Sequence, residues 1–262
     1  MKIHFYGADR EVTGSRHILE VNGKKILIDC GLYQGRRKDE KDKNKNFGFD
    51  PKGIDIVVVS HAHIDHSGNL PNLVKQGFKG PIYCTPATAD LLAFMLLDSA
   101  HIQESEAEYL NEKKKRAGEE LIEPLYVTED VNETLPLIKT IEYETCFKLT
   151  DEVDICMHEA GHILGSAISV FTIRENGSEK TLTYTGDLGR KNMPLIRDPY
   201  QVTHSDYLMI ESTYGNRLHA SLLDAERDLE NIIKKTIGRG GKILIPAFSL
   251  GRTQELIYSL HK

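Results

Sequence analysis

Short apolar runs rich in Ile, Val and Leu alternate with polar turns through much of the chain, a pattern of strands broken by a few helical stretches. Residues 2–6, 16–21 and 24–29 predict strands. The last two meet at Asn22-Gly23, a dipeptide suited to a tight hairpin turn. Ile54 to Val59 is apolar apart from Asp55, and predicts a strand covered on both faces. Residues 69–77 then predict a short helix and Pro81 to Cys84 a strand. Residues 87–116 predict one long helix, apolar at Leu91, Leu92, Phe94, Met95, Leu96 and Leu97. Its end, Glu112-Lys113-Lys114-Lys115-Arg116, suits a solvated helix terminus whose bases face the C-terminal dipole. Further strands are expected near 138–144, 153–158, 167–173 and 180–185, with a second hairpin turn at Asn176-Gly177. Strands at both ends with helices between them predict an α/β fold, two sheets faced by helices in a four-layer αββα sandwich.

Composition narrows the class. The 262 residues are 40% hydrophobic and 27% charged, which suits a globular protein with a real core. No apolar run approaches membrane-spanning length, and Met1-Lys2-Ile3-His4 does not open a signal peptide. Cys30, Cys84, Cys146 and Cys156 are scattered without a C-x-x-C pair. They predict reduced thiols in a cytoplasmic protein, not a disulfide frame. A net charge of -6 gives no support to broad electrostatic binding of nucleic acid, so a phosphate partner would have to be held locally. Residues 33–50 mix Lys and Arg with Asp and Glu, and predict a mobile surface loop in preference to a nucleic-acid arm.

The densest chemistry follows the central strand. Ser60-His61-Ala62-His63-Ile64-Asp65-His66-Ser67-Gly68 places three histidines and one aspartate within six positions of a strand's carboxyl end, where α/β sheets usually keep their chemistry. His61 and His63, two apart, point the same way from an extended loop and can share one ion. Asp65 continues the alternation, and His66 turns to the other side, toward a second ion. Imidazole with carboxylate suits Zn²⁺, with Mn²⁺ or Fe²⁺ as further options. Weaker polar points fall at other strand ends: Asp29, which alone could be a turn residue, His162 between Gly161 and Gly165, and Asp187 after Gly186. His158 lies inside a strand pattern and is taken as structural.

His-x-His-x-Asp-His followed by Ser-Gly resembles the metallo-β-lactamase superfamily of binuclear metal hydrolases, and the resemblance covers about residues 1–205. It implies that His61, His63 and His162 hold one zinc and Asp65 and His66 the other. Asp187 would bridge the two ions, and Asp29 would orient ligands from behind. Asp65 would also accept a proton from the water that attacks.

The last sixty residues refine the resemblance. Tyr207 to Glu211 predicts a strand ending in an acid, residues 222–237 an amphipathic helix with Ser221 as N-cap, and Lys242 to Pro246 a strand leading to a final helix. Glu211-Ser212-Thr213-Tyr214-Gly215 and Pro246-Ala247-Phe248-Ser249-Leu250-Gly251-Arg252 are similar to the start of the β-CASP insert. Within that group, the likeness is to the RNA-processing branch, which includes the nuclease subunit of the pre-mRNA cleavage complex and its bacterial and archaeal relatives. Two units are therefore expected: 1–205, lactamase-like, and 206–262, the first part of a β-CASP domain that is otherwise truncated. The implied activity is zinc-dependent hydrolysis of RNA phosphodiester bonds by a metal-bridged hydroxide, in RNA processing or decay. Glu211 would help to protonate the leaving group, together with a His carried in later parts of the family's chain. A further His there completes the second zinc site, and neither has a candidate here, since His204 and His219 stand on the wrong side of the motif order. Ser249 and Arg252 offer amides and a guanidinium for a phosphate, or simply begin a helix. The partners implied are RNA and either a second copy of the chain or a processing complex. The alternatives are a hydrolase of small thioesters or lactones, a DNA nuclease, and a non-catalytic subunit.

Overall fold

A computed structural model describes residues 1–35, 37–218 and 221–261, so His219 lies outside the described residues. Three strands open the chain: β1 (Lys2–Gly7), β2 (Arg16–Val21) and β3 (Lys24–Ile28). After helix α1 (Arg37–Lys45) come β4 (Ile56–Val58), the one-turn α2 (Ile64–Ser67), α3 (Leu70–Lys75), β5 (Ile82–Cys84), the long α4 (Pro86–Ala117), α5 (Thr128–Thr134) and β6 (Ile138–Thr140). The second half adds β7 (Cys146–Lys148), β8 (Val153–Glu159), β9 (Ala167–Glu175), β10 (Ser178–Tyr184), β11 (Tyr207–Met209), α6 (Leu222–Gly238) and α7 (Arg252–His261).

The strands form two sheets, ordered β1-β2-β3-β4-β5-β6 and β11-β10-β9-β8-β7. In the first sheet alternate residues serve different cores, because side chains in a strand point to opposite faces. Leu27, Val57 and Val59 pack with Leu70 and Leu73 of α3, with Leu92, Leu96 and Ala100 of α4, and with Val131 of α5. Ile26, Ile28, Ile56 and Val58 face the other way, against Val153, Ile155, Met157, Phe171 and Leu182 of the second sheet. Helix, sheet and sheet make three of the expected four layers. The outer face of the second sheet stays half-exposed at Asp154, Cys156, Val170 and Thr172. β11 runs parallel to β10 at the sheet's edge, with Leu182 opposite Tyr207.

α4 begins where Thr85 caps it, its hydroxyl accepting from Thr88 N with proline at the first helical turn, and ends at Gly118 in the left-handed conformation. Its buried positions Thr88, Leu92, Leu96 and Ala100 recur every fourth residue and form one stripe against the first sheet. Among the described residues no helix is long and apolar enough to cross a membrane.

Three expectations are corrected. Part of the predicted loop at 33–50 is α1, which a polar composition hid. Its anchors are Asn44, whose amide exchanges hydrogen bonds with the backbone of Tyr33 at 2.7 and 2.9 Å, and the buried Phe47 beyond its end. The cysteines are not all reduced. Cys146 and Cys156 stand directly opposite each other in the antiparallel β7–β8 pair, with Cα atoms 4.2 Å apart, and form a disulfide. β7 is only three residues long and gave no pattern to reveal that register, while Cys30 and Cys84 are buried free thiols. Lys242 to Pro246 forms no strand: Leu244 is 93% exposed, and no neighbouring backbone among the described residues completes a ladder with it.

Phe171, fully buried between the sheets, tests this packing. Phe171→Ala is expected to cost about 3–5 kcal/mol. In urea denaturation this would appear as a lower midpoint with an unchanged slope.

Candidate metal centre

Four strand ends converge at one point. β4 runs on into Ser60, His61 and His63. The single turn α2 then presents Asp65 and His66, its first peptide groups held by Ser15 N donating to Asp65 O and Cys30 N to His66 O, each at 2.8 Å. β8 ends in the loop that carries His162. That loop is pinned by the hydroxyls of Thr85 and Thr88, which donate to Gly165 O at 2.6 and 2.8 Å, and by Ser166 Oγ, which accepts from His162 N at 3.1 Å. β10 ends in Thr185-Gly186-Asp187, and β3 ends in Asp29.

These turns touch backbone to backbone. A Cβ on Gly31 would lie 1.6 Å from Asp65 O, and one on Gly189 would lie 1.4 Å from Gly161 O. No other residue fits either position without moving a ligand-bearing loop.

His61 Nε2 and His162 Nε2 each lie 3.1 Å from His63 Nδ1. One Asp187 oxygen, Oδ2, lies 3.5 Å from His162 Nε2 and 3.8 Å from His61 Nε2. Nitrogen ligands about 2.0–2.1 Å from a tetrahedral zinc stand about 3.3 Å apart, so this set fits such an ion. The donor atoms of these four residues lie within 4.8 Å of one another, and they are the one such group found among the described residues. The other oxygen, Asp187 Oδ1, lies 3.2 Å from His66 Nε2, which in turn lies 3.9 Å from Asp65 Oδ2. This second half offers three donors on a looser frame.

The electrostatics of the three-histidine half suit cation binding, whereas in the other half burial is outweighed by Asp29 and Asp187, which favour the protonated form of His66. Burial, reinforced by the surrounding imidazoles, holds His61 well below its ordinary pKa. Burial and then His162 bring His63 down to about 4, and burial also lowers His162, so all three are neutral near pH 7 with lone pairs to offer. Burial opposes ionisation of Asp187, but its hydrogen bond with His66 and the nearby histidines outweigh that and bring it to about 2.

Behind the donors Asp29 is fully buried, with φ +58°. Its Oδ1 accepts from Ser60 N at 2.7 Å. Its Oδ2 lies 2.7 Å from His66 Nδ1 and accepts from Tyr184 OH at 2.6 Å and Ser60 Oγ at 2.9 Å. Holding His66 by Nδ1 leaves Nε2 to face Asp65 and Asp187. Sequence reasoning passed over Ser60 and Tyr184. The only signal was that each adjoins a candidate motif, His61 in one case and Thr185-Gly186-Asp187 in the other.

The remaining candidates lie farther out. Glu211 accepts from Thr213 N at 3.0 Å, as a turn-forming acid does, yet its charge reaches His162 and favours that residue's protonated form. Arg252 acts on His162 in the opposite sense, is mostly exposed, and stands 3.4 Å from Glu255. The turn before it sits on the His162 loop, where a Cβ on Gly251 would meet Ile163 Cγ2 at 3.0 Å. Ser249 O accepts from Gln254 Nε2 at 2.9 Å. His158 pairs with Glu144 and stacks on Tyr200, outside the cluster.

The chain resembles proteins already characterised. It is 38% identical over 261 residues to Ribonuclease TTHA0252 of Thermus thermophilus, an alignment that takes in all of this chain and 55% of that protein. It is 34% identical over 272 residues to Transcription termination factor FttA of Methanosarcina mazei, covering 100% of this chain and 39% of the relative. Likeness to Cleavage and polyadenylation specificity factor 73 of Drosophila melanogaster is 33% over 267 residues, or 99% and 35% of the two chains. The chain thus spans about half the length of the first of these relatives and less of the others. A profile described as the metallo-beta-lactamase superfamily matches residues 14–212. That span holds every clustered donor from His61 to Asp187 with Asp29 behind them, and the chain belongs to the metallo-beta-lactamase superfamily.

Proposed function

We propose that this chain carries the metal-binding part of a zinc-dependent ribonuclease of the β-CASP, RNA-processing branch, and that its centre takes two zinc ions. The observation that carries the reading is the Asp187 carboxylate, with one oxygen 3.2 Å from His66 Nε2 and the other 3.5 Å from His162 Nε2. A carboxylate so divided suits a bridge between two ions. When bound, such ions supply Lewis acidity and a water acidic enough to be deprotonated near neutral pH. Histidine nitrogen with carboxylate oxygen favours zinc, with Mn²⁺ or Fe²⁺ as substitutes. RNA as the substrate is supported by the names of the relatives, a ribonuclease and a cleavage factor.

The residues divide the work as follows. His61, His63 and His162 hold one ion, Asp65 and His66 the other, and Asp187 both. Asp65, the carboxylate beside His66 in the second half of the centre, is the base we assign. Asp29 orients His66. Arg252, with the turn at Ser249, holds a substrate phosphate beside the His162 loop. Glu211 works at the leaving group, paired with a histidine that no described residue supplies. Residues 206–262 begin the second unit, entered through β11.

The purified chain is expected to contain about two zinc ions by elemental analysis. Of labelled RNA, labelled DNA and a chromogenic thioester or lactam tested side by side, it should cleave the RNA, in a chelator-sensitive way. His63→Ala is expected to lower that cleavage on the order of 10³-fold or more. Full activity of the variant, or metal uptake without cleavage of any substrate, overturns the assignment. For Arg252→Ala we expect KM for RNA to rise about tenfold, roughly 1.4 kcal/mol of binding, with kcat within a few fold. A change confined to kcat would remove Arg252 from phosphate binding.

A further inference from the structure

The polar network behind the donors reaches both halves of the centre. His66, in the second half, rests its Nδ1 on Asp29 Oδ2 at 2.7 Å. His61, in the first half, places its Nδ1 3.0 Å from Ser60 Oγ. That hydroxyl in turn donates to the same Asp29 oxygen at 2.9 Å. A serine hydroxyl has one proton to give and lone pairs to receive, so the sequence of donors runs one way: His61 Nδ1–H to Ser60, Ser60 O–H to Asp29. Each imidazole is thereby left with Nε2 free to face the donor cluster. Tyr184 OH adds a bond of 2.6 Å to that oxygen, and Ser15 Oγ lies 2.9 Å from Tyr184 OH. Ser15, Asp29, Ser60 and Tyr184 are all buried. A carboxylate with no water to turn to is fixed by the donors around it, and moving one shifts the rest.

We propose that Ser60 and Tyr184 are positioning residues, which tie His61 and His66 to one buried carboxylate so that the two metal positions are strengthened or weakened together. The inference rests on the metal reading of this centre but not on the identity of the substrate.

The test measures zinc binding by calorimetry, with cobalt(II) absorption to tell the three-histidine position from the carboxylate-rich one, for the full chain and for Tyr184→Phe and Ser60→Ala. Tyr184→Phe keeps the ring and removes only the hydroxyl. In both variants the two ions are expected to weaken in parallel, each by about 10–100-fold. In an Asp29→Asn background, adding Tyr184→Phe should cost little more, because its effect passes through that carboxylate. A merely structural role would lower the melting temperature of the metal-free chain and leave both affinities within about threefold, which overturns the proposal. So does weakening of a single position, or a parent chain that takes up no metal. If Ser60→Ala fails to fold, Tyr184→Phe decides alone by the same criteria. RNA cleavage is not part of the readout, so a chain that binds two coupled ions but cleaves nothing defeats the ribonuclease reading and leaves this one standing.

Discussion

A carboxylate buried out of reach of solvent must be surrounded by donors or it will not stay charged. Asp29 has no exposed surface, and its donors come from the end of β4, from α2 and from the last residue of β10. The fold satisfies that charge by bringing the stretches around Asp29, Ser60 to His66, and Tyr184 to one place, which is also where the clustered histidine and aspartate donors meet. Asp29 itself adopts a left-handed backbone conformation, uncommon for any residue with a side chain and easier for aspartate than for most. That turn sends the carboxylate inward as the chain leaves β3.

The two cores supply the rigidity behind this arrangement. β3 and β4 are buried on both faces, so their ends cannot shift without disturbing either the helix layer or the second sheet. Between the strand ends, contact is made by main chain. Ala167 N donates to Ser60 O at 2.8 Å, joining the two sheets, and Gly189 N donates to Ala160 O at 2.9 Å, joining two turns of the second sheet. The ligands therefore sit on short, mutually hydrogen-bonded turns, and the donor atoms approach closely without long side chains spanning a gap.

What the sequence revealed followed how local each signal was. His61, His63, Asp65 and His66 were legible because they lie within six positions of a β-branched run. His162 and Asp187 showed only as polar residues among glycines at strand ends, and needed the family's motif order to join the set. Ser60 and Tyr184 were invisible for a different reason. Serine and tyrosine occur everywhere, and their meaning lies in a shared contact with Asp29, 31 and 155 positions away. The Cys146–Cys156 bridge depended on a strand register that three residues could not announce. The run at 242–246 misled in the other direction, since apolar, β-branched composition makes a strand only where another strand lies beside it.

Every ligand-bearing turn stands at the carboxyl end of a strand, and the connections that carry the chain back start at that same end: α4 follows β5 beside the His162 loop, and the excursion to β11 starts at Asp187. Only their first residues touch the centre, Thr85 and Thr88 through Gly165 and Gly189 through Ala160; the rest of the 32-residue α4 and of the excursion to β11 carries none of the clustered donors. In an architecture of this kind the chemistry is inherited from the strand ends and the choice of substrate is written in the returns. One metal centre can therefore stay nearly constant while the surfaces around it are rebuilt for different molecules.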